Sequence, residues 1–286
     1  MNPASNAALP PLNEIIKRYQ LTARKSLGQH FLLDANLTAR IARAAGDLAD
    51  VETIEIGPGP GGLTRALLLA GAKHVTAIER DERAIAALGE LSAIFPGKLT
   101  IVAGDALKID PAEITSAPRK IVANLPYNIG TPLLINWLAK IEDYRSLTVM
   151  LQKEVALRLV AKPNTKDYGR LSIMTQWRTQ PRLLFDISPQ AFVPPPKVTS
   201  TLIEIIPLAQ PQAPCRREDL ERVVAAGFGQ RRKMLRASLK SLGLNAEALL
   251  NASDIPPTAR AEDLTVEEFC RLARNFASAS GRPAAD

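Results

Sequence analysis

Glu52-Thr53-Ile54-Glu55-Ile56-Gly57-Pro58-Gly59-Pro60-Gly61-Gly62 is the stretch on which the fold turns. Its first five residues read as a short strand that ends at Gly57. A Gly/Pro turn follows. The apolar run Leu63 to Ala70 then reads as a helix, with Gly71 placed as its closing C′ glycine.

The rhythm repeats downstream. His74 to Ile78 is a second strand, ending at Glu79, and Asp81 can cap the helix that follows. Leu99 to Ala103 is a third strand, ending in Gly104-Asp105. Lys120 to Ala123 is a fourth, running into Asn124-Leu125-Pro126-Tyr127. A helix from Thr131 to Lys140, a fifth strand from Ser146 to Leu151 and a further helix complete the series. Strands alternating with helices predict an α/β protein with a parallel, doubly wound, Rossmann-like sheet. Pro181 to Ile187 and Lys197 to Ile206 lack an intervening helix, which predicts an antiparallel edge. Pro207 to Pro214 is a proline-rich linker. Beyond it the pattern is helical, with breaks expected at Gly227, Gly229, Gly243 and Pro256-Pro257. The expected organisation is a flexible lead-in over 1–20, a sheet domain over 21–207 and a small all-helical C-terminal domain over 208–286.

Composition excludes several classes. Of the 286 residues, 46% are apolar and 23% charged, as in a soluble globular protein. No apolar stretch approaches the length needed to cross a bilayer, and the N-terminus lacks the pattern of a secretory signal. Cys215 and Cys270 have no metal-like spacing and read as reduced thiols of a cytoplasmic protein. His30 and His74 are too few to build a zinc site without several carboxylates. His74 reads as a strand-end residue.

The net charge of +7 suggests a polyanionic partner. Between Arg216 and Lys240, eight basic residues face three acidic ones, including Arg231, Arg232, Lys233 and Arg236. Arg24-Lys25 forms a second cluster. Lys153, Arg158, Lys162, Lys166 and Arg170 form a third, which reads as a solvated face.

In a doubly wound sheet, ligands bind outside the carboxyl ends of the strands. The glycine loop, Glu79, Asp105 and Asn124 all fall there, at four successive strand ends. They are expected to line one crevice. Asn124 offers a side-chain carbonyl acceptor, Pro126 stiffens the turn, and Tyr127 offers a ring face. Together they can hold an amino group on a flat ring. Gly57, Gly59 and Gly62 also satisfy the dinucleotide fingerprint, with Glu79 22 residues after Gly57. An NAD-dependent oxidoreductase is therefore an alternative. Against it, Pro58 and Pro60 remove two backbone donors that a pyrophosphate would use. Asp105 is better explained by an adenine amine, and a nucleoside without phosphates, S-adenosylmethionine, fits better.

Further stretches stand beside these: Gln29-His30-Phe31-Leu32, Gly104-Asp105-Ala106, Phe192-Val193-Pro194-Pro195-Pro196-Lys197-Val198-Thr199-Ser200 and Gln230-Arg231-Arg232-Lys233. In this order the set resembles the small-subunit (16S) ribosomal RNA adenine N6-dimethyltransferase family, whose relatives include the erythromycin-resistance rRNA methyltransferases. The resemblance runs from about Arg24 past Leu272. One departure is His30, where the family has Asn; His can also donate or accept a hydrogen bond.

The resemblance implies S-adenosylmethionine contacts from His30, Leu32, Gly57, Glu79, Asp105 and Asn124, with Gly59 shaping the loop. Glu79 would hold the ribose, Asp105 the adenine amine, and Ala106 would support the ring. Asn124 and the Leu125 carbonyl would accept the hydrogens of the target amine, beside Pro126. Tyr127 would stack on the flipped base, with Phe192 as the second wall. Arg231, Arg232, Lys233 and Arg236 would contact RNA phosphates. The implied activity is N6-dimethylation of two adjacent adenosines in a hairpin loop near the 3′ end of 16S rRNA, during small-subunit maturation. The implied partner is the small-subunit precursor, met by a monomer without a membrane. A DNA adenine N6-methyltransferase shares the pocket chemistry. A non-catalytic RNA-binding assembly factor suits the basic clusters but has no use for Glu79, Asp105 and Asn124.

Overall fold

The structure, a computed structural model, describes residues 9–24 and 27–282. Residues 1–8 of the expected lead-in, and Lys25 of the second basic cluster, lie outside the described residues. The chain begins with α1 (Leu12–Arg18), β1 (Phe31–Leu32) and α2 (Ala35–Ala44). It then alternates through β2 (Glu52–Ile56), α3 (Gly62–Leu69), β3 (His74–Glu79), α4 (Glu82–Ile94), β4 (Leu99–Ala103), α5 (Pro111–Ile114), β5 (Arg119–Asn124), α6 (Gly130–Ala139) and β6 (Ser146–Gln152). Next come α7 (Lys153–Val160), α8 (Arg170–Gln176), β7 (Thr179–Ile187), β8 (Phe192–Val193) and β9 (Ser200–Pro207). The chain closes with α9 (Arg217–Gly229), α10 (Leu235–Ser238), α11 (Ala246–Ala252) and α12 (Val266–Ala279).

Seven strands form one sheet in the order β4-β3-β2-β5-β6-β9-β7. The pairs from β4 through β6 are parallel, and β9 runs antiparallel to β6. The expected doubly wound sheet with an antiparallel edge is thus present. Sequential strands step outward on one side of β2 (β3, β4) and on the other side of β5 (β6). The order reverses between β2 and β5, so the switch-point crevice opens there. Registers such as Ile56↔Ile78, Glu79↔Ala103 and Asn124↔Met150 carry the strand ends to one rim.

The central strands are buried along most of their length, Thr53–Ile56 and Val75–Glu79 among them, as parallel strands covered on both faces are. Leu67, Val75, Ala77, Leu88, Val122 and Leu202 share one core with Leu32 and Phe192. Helix α3 is buried from Gly62 to Leu68. Gly62 is required there: a Cβ would lie 2.5 Å from the Leu32 carbonyl oxygen. That contact brings β1 down onto the glycine turn. Asp81 caps α4 as expected, accepting from the Arg83 amide.

Three expectations on organisation are corrected. The flexible lead-in does not extend to residue 20. Leu9, Leu12, Ile15 and Leu21 are buried, and Arg18 pairs with Glu90 at 2.8 Å. Apolar residues at helical spacing anchor α1 to the fold. Second, contacts divide the chain into residues up to 156 with Arg182–Pro207, and Leu157–Pro181 with residues from 208 onward. The segment 157–181, expected in the sheet domain, belongs to the helical unit. Tyr168, Ile173 and Trp177 share that unit's core with Leu220, Phe269 and Phe276, and the Tyr168 hydroxyl donates to the Leu264 carbonyl. Third, Gly227 does not break its helix; it is buried within α9, which runs to Gly229, because tertiary packing outweighs glycine's weak helix propensity.

Cys215 and Cys270 are both free and buried in the helical unit, and they neighbour each other. The neighbouring thiol and burial together push Cys270 up from its ordinary value. His74 stands at the start of β3, with Nδ1 2.6 Å from Glu52 Oε1.

Replacing Ile15 by Ala should lower unfolding stability by about 2–5 kcal/mol in a urea titration. An unchanged midpoint would return α1 to the status of a loose leader.

Candidate active site

One cavity sits at the switch point. It is lined by the glycine loop after β2, Glu79 and Arg80 after β3, Gly104-Asp105-Ala106 after β4, residues 124–129 after β5, and residues 27–32. His30, Leu32, Gly57, Gly59, Glu79, Asp105, Ala106, Asn124, Leu125, Pro126 and Tyr127 all line it. Of the expected cofactor and substrate residues, Phe192 alone is absent from that wall.

The glycine loop is held by its own strand ends. The Gly57 amide donates to the Ile78 carbonyl at 3.0 Å, and the Gly59 amide to Glu79 Oε2 at 3.1 Å. Gly59 has φ +54°, and a Cβ there would meet the Phe31 ring at 2.9 Å. Glycine is needed at this position on both counts. Glu79 Oε1 accepts the amides of Arg80 and Asp81 at 2.8 and 2.9 Å. Burial raises the Glu79 pKa, and these three backbone bonds pull it back. A carboxylate offers about four acceptor sites, so Glu79 keeps one for a ligand.

Asp105 is more open. Its side chain is 31% exposed, Oδ1 accepts the Leu107 amide, and Oδ2 lies 3.9 Å from the Arg80 guanidinium. Arg80 therefore meets both acids, Glu79 through its amide and Asp105 through its guanidinium.

Asn124 is oriented by a residue far away in sequence. Its Nδ2 donates to the His30 backbone carbonyl at 3.0 Å. That bond takes one amide hydrogen and fixes which side of the group carries Oδ1, the acceptor. The His30 ring serves another purpose: Nδ1 donates to the Pro194 carbonyl at 2.7 Å. Residue 30 thus acts on Asn124 through its backbone, which a change of side chain does not alter. Below Asn124, the amides of Ile129 and Gly130 donate to the Pro126 carbonyl and start α6. The Tyr127 hydroxyl lies 2.5 Å from Ser200 Oγ, and its ring is 5.2 Å from His30, tilted by 36°. Burial raises the Tyr127 pKa, and the bond to Ser200 opposes this.

Phe192 requires a correction. Its ring is 2% exposed, packs in the core and meets His30 edge-on at 6.5 Å. The cause is the antiparallel pairing of β1 with β8, Phe31↔Val193 and Leu32↔Phe192. That pairing leaves Val193 half exposed and turns the neighbouring Phe192 inward.

Arg231 also departs from expectation. It pairs with Glu262 at 3.0 Å and donates to the carbonyls of Thr165 and Lys166, so it braces the helical unit. Arg232, Lys233 and Arg236 are exposed. In the third basic cluster, Lys153 pairs with Asp186.

Two contributors escaped the sequence. Ser200 holds Tyr127, although it ends the quoted Pro-rich stretch. Glu55 lines the cavity at 2% exposure, and Oε2 has no hydrogen-bond partner among the described residues. Burial pushes its pKa to about 8, with Thr64 opposing and Glu79 reinforcing. The signal was present: an acid two residues before Gly57, flanked on its strand by Ile54 and Ile56.

Comparison with known proteins places the chain. The family model for ribosomal RNA adenine dimethylase matches residues 20–278. The ribosomal RNA small subunit methyltransferase A of Paramagnetospirillum magneticum is 62% identical, over 94% of this chain and 95% of its own. That of Rhodospirillum rubrum is 59% identical, over 93% and 92%. Among solved structures, the 23S rRNA methyltransferase ErmE superposes with a TM-score of 0.66 at 28% identity, covering 86% of this chain and 99% of that one. A dimethyladenosine transferase from Plasmodium falciparum shares the fold, with a TM-score of 0.73 at 23% identity, covering 88% and 98%.

In the unfolded chain this Glu loses its proton at its ordinary value, well below the value it has when folded. The stability that this neutral acid contributes is fully present below about pH 4.5 and is lost as pH rises towards about 8. Glu55→Gln should therefore gain stability relative to the parent across that window and level off above it. Parallel melting curves against pH would contradict a buried neutral acid.

Proposed function

The chain belongs to the ribosomal RNA adenine dimethylase family, and on that premise we propose that it dimethylates N6 of two adjacent adenosines in a hairpin loop near the 3′ end of 16S rRNA. S-adenosylmethionine is the methyl donor, and the small-subunit precursor is the substrate particle. The enzyme works as a cytoplasmic monomer; among the described residues no helix is long and apolar enough to cross a membrane. The observation that carries the proposal is the convergence of Glu79, Asp105 and Asn124 on one cavity.

The residues present suit the donor. Glu79 keeps an acceptor site for a ribose hydroxyl, and Asp105 presents a partly open carboxylate to an adenine amine. Ala106 and Leu32 add apolar wall, and Gly57 and Gly59 leave room for the methionine portion. His30 contributes its backbone to this site and its ring to Pro194. Pro58 and Pro60 fit a ligand without a pyrophosphate, which disfavours NAD. When bound, S-adenosylmethionine supplies a methyl group activated by a positively charged sulfur.

The protein's task is geometric. The N6 lone pair of adenine is delocalised into the ring. Asn124 Oδ1 and the Leu125 carbonyl accept the two amine hydrogens and draw the nitrogen towards a tetrahedral shape. The lone pair is then aimed at the methyl carbon, and no strong base is required. Tyr127, fixed by Ser200, stacks on the extruded base, a contact worth about 1–3 kcal/mol. After one transfer a single hydrogen remains for the same two acceptors. Phe192 backs the His30 wall from the core. In the helical unit, Arg232, Lys233 and Arg236 meet RNA phosphates, while Arg231 holds the turn that presents them.

Calorimetry should show binding of S-adenosylmethionine and S-adenosylhomocysteine and none of NAD; the reverse would favour an oxidoreductase. Asn124→Ala should lower kcat for methyl transfer by about 10²–10³-fold while RNA binding persists. Full activity in that variant would remove its assigned role.

A further inference from the structure

Glu55 stands apart from the other acids of the cavity. Glu79 is satisfied by three backbone amides and Asp105 is partly open to water. Glu55 is buried, and its Oε2 has neither protein partner nor solvent. A carboxylate so placed is costly, and the neutral acid is the stable form. Its surroundings reinforce this. Glu79 on the adjacent β3 adds negative charge, Thr64 on α3 opposes, and β5 ends in uncharged Asn124. The remaining ionisable residues on the cavity wall are His30, Arg80, Asp105 and Tyr127, whose hydroxyl is tied to Ser200.

We propose that Glu55 carries a proton in the empty cavity and releases it to water when a cationic sulfur enters, an inference that rests on the cofactor assignment above. A positive charge in the same cavity favours the carboxylate without needing to touch it. S-adenosylmethionine and S-adenosylhomocysteine share an ammonium and a carboxylate and differ by the sulfonium charge. Methyl transfer removes that charge, and Glu55 takes a proton back from water. The site thereby tells fresh donor from spent product by charge, through one buried acid, and product exchange is favoured.

The test is calorimetry of both ligands near neutral pH in two buffers of different ionisation enthalpy, with wild type and Glu55→Gln. Wild type should release about one more proton with S-adenosylmethionine than with S-adenosylhomocysteine, and the variant should lose that excess. The variant also corrects for protons from the ligand's own ammonium. Infrared difference spectra of wild type need no variant: the C=O band of a protonated carboxyl should vanish with S-adenosylmethionine and persist with S-adenosylhomocysteine. Binding of both ligands with equal proton release, or a band indifferent to the sulfonium, would overturn the charge-reading role and leave the cofactor assignment standing. Binding of neither ligand would overturn the cofactor assignment itself, and Glu55's role with it.

Discussion

The parallel hydrogen-bond register of β4, β3, β2 and β5 is the constraint on which the molecule depends. Pairings such as Ile56↔Ile78 and Ile78↔Val102 end these strands at one rim. Four loops of unrelated sequence therefore meet at one crevice. A slip of one residue would turn every side chain of a strand to the other face. Burial on both faces of β2 and β3 makes such a slip expensive, so the site inherits its geometry from the core.

Register brings Asn124 to the rim but does not orient its amide. That falls to the segment around His30, which lies 94 residues away in sequence. The His30 carbonyl accepts from Asn124, its ring holds Pro194, and β1 pairs with β8. Gly62 lets the Leu32 carbonyl settle against α3. Ser200, from the same late stretch as Pro194, fixes Tyr127. The carbonyl cage is thus braced from before the first long strand and from near the last. A hydrogen bond of this kind contributes only about 0.5–1.5 kcal/mol of stability, yet it fixes the orientation of the Asn124 amide at the cavity wall.

Much of this was legible in the sequence because it rests on local rules. Glycine turns, strand ends and Asp81 as a cap are local, and the sheet's alternation follows from them. Glu79, Asp105 and Asn124 were placed by counting strand ends alone. What was not legible depends on long-range partners. Phe192 could be read as an exposed wall until β1 was seen to pair with β8 and turn it inward. Arg231 looked like its basic neighbours, and only Glu262 and two carbonyls distinguish it. The segment 157–181 follows the sheet in sequence, but Tyr168 and Trp177 find their apolar partners in the helical unit. Glu55 stood in plain view between Ile54 and Ile56, but its burial beside Glu79 depends on the covering of both sheet faces.

That three acceptors share one ligand is tested most directly by a crystal structure with S-adenosylhomocysteine. The ribose hydroxyls should lie against Glu79, the adenine amine against Asp105, and the sulfur on the side of Asn124. A ligand bound elsewhere, with Glu79, Asp105 and Asn124 facing separate spaces, would contradict it.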